Sequence, residues 1–222
     1  RVVMANMPKP PFDKEAEELE GINKVFWSVI GSGGSEHKIV VDEVLRLAKL
    51  HKNIAGGITD DFLTYERMKL FTPDMITDCG EKLHSFEDRR LELYTVVYVR
   101  ELTEERRKYL EKFDAYTMWT WNGSDLYNLD ENYGKLRELV GDEKKILAGC
   151  YLWDYGDCKP LADELMEYQL GKYYEWLEAG KIEGVIICSN CIADLGLKTT
   201  QMMKSWVDKY GDKVIQETPV LV

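Results

Sequence analysis

Four short stretches bring carboxylates and aromatic rings together at the ends of apolar runs. "IAGGITDDF" (54–62) stops on Asp60 and Asp61. "VVYVREL" (96–102) places Tyr98, Arg100 and Glu101 at its end. "YTMWTWNGSD" (116–125) carries Trp119 and Trp121 followed by Asn122. "GCYLWDYGDCKP" (149–160) holds Tyr151, Trp153, Asp154, Tyr155 and Asp157. Paired carboxyls of this kind can work as an acid and a base, one protonating a leaving oxygen while the other attacks or activates water. Two ionised carboxylates beside a buried strand end are costly unless they meet a partner, although Asp also serves plain turns and helix caps. Arg100 can pair with a buried aspartate or hold a substrate oxygen. Glu101 is either a further acid or base or a solvated loop residue. Aromatic faces stack on the C–H faces of sugar rings and amides satisfy their hydroxyls, while tryptophan is equally at home in a core.

The candidate catalytic set is therefore Asp60, Asp61 and Asp154, with Glu101 in reserve. The candidate substrate-binding set is Trp27, Tyr98, Arg100, Trp119, Trp121, Asn122, Tyr151, Trp153 and Asn190. Asp157 is expected to serve the Tyr-Gly-Asp turn, leaving Asp154 for chemistry. Ser189 and Asn190 close another apolar run and can donate hydrogen bonds to a ligand. Cys191 beside them lacks a histidine at the strand ends to activate it. "GSGG" (31–34) has neither a P-loop lysine nor the GxGxxG order, so it reads as a loop.

The elements that must carry these residues alternate between short β-type runs and longer amphipathic ones. The β-type runs are 1–7, 24–31, 53–61, 93–99, 115–121, 145–153 and 184–190. Several are apolar almost throughout, as strands covered on both faces are. Helical patterns lie at 35–52, 102–113, 129–142, 160–181 and 197–211. One-directional alternation of seven βα units implies a parallel sheet. Because functional residue types crowd the ends of many strands, a (β/α) TIM-type barrel is favoured over a doubly wound sheet, with one of the usual eight strands missing or irregular. In "IAGGITDD" the alternation is expected to turn the small row Ala55, Gly57, Thr59 and Asp61 inward and the large row toward the helices.

The chain has 222 residues, enough for one sizeable core, and no Pro-, Ser- or Gly-rich linker, so residues 1–222 read as one barrel domain. A formal charge of −11 argues against a nucleic-acid partner and against anionic membranes, and fits a small molecule or oligosaccharide. No apolar stretch reaches the ~20 residues of a membrane helix. The start "RVVMANM" lacks an initiator Met and reads as a trimmed or excised chain with room for additional domains. Five cysteines, three of them in or beside strand-like runs, read as reduced core thiols, which leans toward the cytoplasm. Cys188-x-x-Cys191 has no second pair and only three histidines exist, so no metal and no cofactor are expected.

"GGITDDF", "MWTW" and "CYLWDYGD" together resemble the barrel glycoside hydrolases and their uncharacterised relatives. If the missing strand is the first, the resemblance implies that Asp60 and Asp61 end strand four and Asp154 ends strand seven, where many retaining hydrolases of this fold carry their two carboxylates. Those enzymes typically use glutamates, and this chain offers aspartates. The activity implied is glycosidase-like hydrolysis, with a carboxyl separation of ~5 Å for retention or ~6.5–9.5 Å for inversion. The alternatives are a non-catalytic barrel that binds sugar or scaffolds a larger protein and, more remotely, a metal-assisted lyase or aldolase.

Overall fold

The computed structural model describes residues 2–5, 10–30, 39–188 and 192–213. Its elements, in chain order, are β1 (Val2–Ala5), α1 (Asp13–Glu18), β2 (Lys24–Ile30), α2 (Val41–Leu50), β3 (Ile54–Thr59), α3 (Tyr65–Leu70), α4 (Pro73–His84) and β4 (Glu92–Tyr98). After β4 come 3-10 turns at Val99–Glu101 and Glu104–Arg106, then α5 (Arg107–Leu110), β5 (Ala115–Trp119), a 3-10 stretch Gly123–Asn128 and α6 (Leu129–Val140). The chain continues with β6 (Lys145–Tyr151), β7 (Trp153–Asp154), β8 (Lys159–Pro160), α7 (Asp163–Glu178), β9 (Gly184–Cys188), a 3-10 turn Ala193–Leu195 and α8 (Lys198–Tyr210). The seven anticipated strands have counterparts in β1 to β6 and β9. No helix among the described residues is long and apolar enough to cross a membrane.

The chain divides into two compact units. One comprises Arg1–Thr117 with Arg137–Lys144, the other Met118–Leu136 with Lys145–Val222. In the first, β1 pairs with β2, β2 with β3 and β3 with β4, all parallel and in chain order. In the second, β6 and β9 pair in parallel, and β7 and β8 form a small antiparallel hairpin.

In the first unit, α2 buries Val41, Val44, Leu47 and Ala48 at helical spacing and carries Asp42 and Glu43 in its first turn and Lys49 in its last, matching the helix dipole. The Arg89 guanidinium donates to the carbonyls of Ala48, His51 and Ile54, which ties the end of α2 to the start of β3. The apolar periodicity missed two helices between β3 and β4. Both begin at a capping threonine: Thr64 accepts the Arg67 N–H at 3.4 Å, and Thr72, just before Pro73, accepts the Met75 N–H at 3.3 Å.

The inward and outward rows of β3 are the reverse of the expectation. A Cβ on Gly57 would lie 2.7 Å from Val29 and 3.2 Å from Leu83 of α4. A Cβ on Gly80 of α4 would lie 3.7 Å from Leu93, the register partner of Gly57. The row Ala55, Gly57 and Thr59 therefore faces the helix, and its small residues let α4 come close. Thr59 and Thr95, register partners on that face, share a buried hydroxyl hydrogen bond of 2.8 Å. On the other face Phe26 stacks on Tyr94 at 3.9 Å.

In the second unit, α7 buries Met166, Gln169, Leu170, Tyr173 and Trp176. Tyr173 donates its phenol to the Gly149 carbonyl at 2.9 Å, and Gln169 donates its amide to the Tyr151 carbonyl at 3.0 Å. Thr199 of α8 donates to the Leu152 carbonyl at 2.9 Å. Three side chains from two helices thus hold the C-terminal end of β6. The helix expected from 160 begins at Asp163, because Lys159 and Pro160 are taken up by the hairpin with Trp153 and Asp154.

Candidate active site

In the first unit the chain leaves β3 at Thr59 and turns sharply. Asp60 still donates its N–H to the Ile30 carbonyl at 2.8 Å, continuing the ladder. Asp61 then adopts a left-handed backbone, φ 47°. Strand alternation no longer sets its direction; the turn does. Its carboxylate accepts the Tyr98 phenol at 2.9 Å. Tyr98 closes β4, and its main-chain N–H donates to Glu101 Oε2 at 3.0 Å. One residue thus holds two carboxyl groups, one through its side chain and one through its backbone.

Glu101 is only 3% exposed. Burial pushes its pKa up, and the negative charge of Asp61 adds to that. The Tyr98 N–H and the positive charges of Arg100 and Arg106 act against the rise without cancelling it. Glu101 is therefore a buried carboxyl whose pKa is raised above its ordinary value, not the solvated loop residue also considered. Arg100 lies in the 3-10 turn beyond the strand and is exposed, with its guanidinium 4.6 Å from the centre of the Tyr98 ring. Two residues past the end of β4, it is exposed and does not sit on the strand. Arg106 escaped the sequence reading, hidden in the charged run "TEERRKY". It is buried, donates to the Leu63 carbonyl at 2.9 Å and to Thr103 Oγ1 at 2.8 Å, and lies within electrostatic reach of Glu101.

The second unit gathers the aromatic candidates. Trp119 is buried and its ring lies 4.6 Å from that of Tyr151. Tyr151 meets Tyr155 at 4.7 Å, and Tyr155 meets Trp121 at 5.1 Å. Trp121, Tyr151 and Tyr155 are each partly exposed, so the cluster offers a ring surface backed by a buried indole. A Cβ on Gly149 would lie 2.1 Å from the Trp119 ring, so only glycine lets the indole lie against β6 there. Tyr155 belongs to this cluster although it was not among the assigned binding residues; its place two residues after Trp153 is the signal. Asn122 is exposed and donates its amide to Asp125 at 3.1 Å. Trp153 is half-buried in the hairpin.

The turn expected of Asp157 is closed by Asp154. Asp154 is 4% exposed and accepts the Asp157 N–H at 3.1 Å, so it closes the turn, while Asp157 is exposed and pairs with Lys159 at 2.5 Å. Trp27 is wholly buried, stacked 5.4 Å from Phe12, in the position of a core residue. Asn190, with Ser189 and Cys191, lies outside the described residues. Among the described residues no three His, Cys, Asp or Glu side chains are placed to hold a metal ion together. Cys79 and Cys150 are buried, and burial pushes both thiols up to about 12.

No protein-family model matches the chain, and no curated protein sequence matches it. Among solved structures the chain is similar to a glucosidase from Croceicoccus marinus, with a TM-score of 0.54 and 12% identity, over 80% of this chain and 45% of that one. The chain thus spans under half the length of that glucosidase chain. Weaker similarity is to a dihydropteroate synthase from Thermus thermophilus, TM-score 0.40 at 10% identity, over 92% of this chain and 89% of that one. A Yersinia pestis DHPS gives 0.42 at 13% identity, over 96% and 94%. Parallel pairing, the strand–helix alternation and the likeness at 0.54 define the fold class: α/β, an incomplete (β/α) TIM-type barrel.

Proposed function

We propose that this chain is a glycosidase-like hydrolase working by acid–base chemistry in its first unit. The observation that carries the reading is the unlike environment of two carboxyls held by one residue: Glu101, buried and pushed toward its protonated form, and Asp61, bound by the Tyr98 phenol. Carboxyls whose surroundings differ in this way can divide the roles of acid and base between them. Glu101 supplies the proton to the leaving oxygen, and Asp61 acts as the nucleophile or as the base for water. Asp60, adjacent in the same turn, is the reserve carboxylate. Asp154, committed to its turn, is withdrawn from the catalytic pair.

The second unit, taken by itself, presents the Trp121, Tyr151 and Tyr155 rings with the Asn122 amide beside them in sequence, residue types that suit a sugar. The fold likeness to a glucosidase agrees with it. The test is turnover on a panel of aryl glycosides and oligosaccharides, repeated with Glu101→Gln. Release that falls at least ~100-fold in the variant supports the assignment. Turnover unchanged in Glu101→Gln removes Glu101 from the mechanism.

A second reading, a non-catalytic carbohydrate-binding barrel, is favoured by the engagement of Asp154 in its turn while the aromatic cluster stays partly exposed. Saturable binding of an oligosaccharide without release of reducing sugar selects it.

A further inference from the structure

The Tyr98 phenol reaches back across 37 residues to Asp61, at 2.9 Å, and its own backbone N–H holds Glu101 three residues ahead. Asp61 sits in a left-handed turn just beyond a strand, where the chain has changed direction and no strand pairing fixes the carboxylate. Tyr98, by contrast, is the last residue of a buried strand and only 5% exposed, so its ring is a fixed point. The Arg100 guanidinium lies over that ring, 4.6 Å from its centre. A turn residue bonded to a rigid ring takes its position from the ring.

We infer that Tyr98 is a positioning residue: its phenol holds the Asp61 carboxylate at the angle the acid–base pair requires, while its backbone holds Glu101. This rests on the acid–base reading for its consequence in turnover, but not for the bond itself. The assignment differs from the substrate-binding role expected of Tyr98.

Two measurements test it on the whole chain. The first needs no substrate: urea unfolding of wild type, Tyr98→Phe, Asp61→Gly and the double variant. Glycine is chosen at 61 because it removes the carboxylate and still accepts the left-handed backbone. Tyr98→Phe should lower the folding constant roughly tenfold in the wild-type background, on the scale of a hydrogen bond to a charged group, and under ~3-fold in the Asp61→Gly background. An additive cycle overturns the inference whatever the activity does. The second is kinetic: Tyr98→Phe should lower kcat at least ~10-fold with KM within about twofold, and should cost nothing further once Asp61 is gone. A loss confined to KM points to substrate contact instead and also overturns it. A coupled unfolding cycle in a wild-type chain that hydrolyses no glycoside sinks the acid–base reading and leaves the Tyr98–Asp61 tether standing.

Discussion

Glu101 and Tyr98 are joined by a 3.0 Å hydrogen bond from the Tyr98 main-chain N–H to Glu101 Oε2, in a site where the carboxyl is almost wholly buried. Of the possible substitutions at 98 only proline removes this backbone donor. Changes such as Tyr98→Phe leave it in place, so the consequences of altering each carboxyl can be read separately.

Asp61→Asn should abolish turnover and leave the fold intact. Asparagine is nearly isosteric and tolerates the left-handed backbone, but it carries no charge and exchanges no proton. Turnover should fall at least ~100-fold, with a stability change under ~1 kcal/mol. Full turnover in this variant on a glycoside the wild type cleaves would return Asp61 to the turn.

Glu101→Gln should stabilise the chain increasingly as pH rises. The pKa of Glu101 is raised above its ordinary 4.5, chiefly by burial. Above 4.5 the unfolded chain gives up this proton while the folded one keeps it, so the stability associated with Glu101 is present at low pH and lost as pH rises through the folded value. Gln cannot ionise and escapes that loss. Melting curves from about pH 4 to about pH 8 should show the variant gaining on the wild type toward the upper end. A gap that stays constant with pH contradicts the raised pKa.

Asp114 should behave in the opposite sense. Burial alone would raise its pKa, but the Leu93 N–H at 2.8 Å, Arg90 at 2.7 Å and His84 at 2.8 Å bring it below its ordinary 3.8. Its stabilising contribution is present above 3.8 and is lost as pH falls through the lower folded value. Asp114→Asn should cost roughly 1–3 kcal/mol near neutral pH, and the difference from wild type should shrink in strong acid. Equal loss at about pH 7 and about pH 2.5 in urea titrations would count against this.

Gly149→Ala should destabilise by about 1–3 kcal/mol, because the added methyl meets the Trp119 ring at 2.1 Å and the ring must move. The near-ultraviolet circular dichroism of the aromatic cluster should change with it. An unchanged spectrum and midpoint would mean that Trp119 has room that the packing denies it.

Much of the architecture could be read from the residues because apolar runs such as "KVFWSVI" and "KILAGCY" are β-type through their whole length, and α7 and α8 carry clear helical periodicity. The facing of β3 could not. In the sequence alone the small row of β3 points to a barrel interior, but Gly57 and Gly80 are small because α4 packs against the sheet there. Likewise α3 and α4 announce themselves by their threonine caps more than by their apolar pattern. The candidate residues were found by type, while their relationships were not. Nothing in "VVYVREL" says that Glu101 will be buried within its turn, and nothing in "LWDYGD" says which aspartate will close the turn.

The left-handed backbone at Asp61 also restricts which residues position 61 can hold. At φ 47° glycine, asparagine and aspartate are the comfortable occupants, and only the last of these carries a charge. Glutamate has the same carboxyl one methylene further out, but its backbone resists the turn. A saturation library at position 61 should therefore separate two filters: Gly and Asn will pass the folding filter, and Asp alone will pass both that and the chemical one. The preference for aspartate over glutamate at position 61 then follows from a single dihedral angle, set before any ligand arrives.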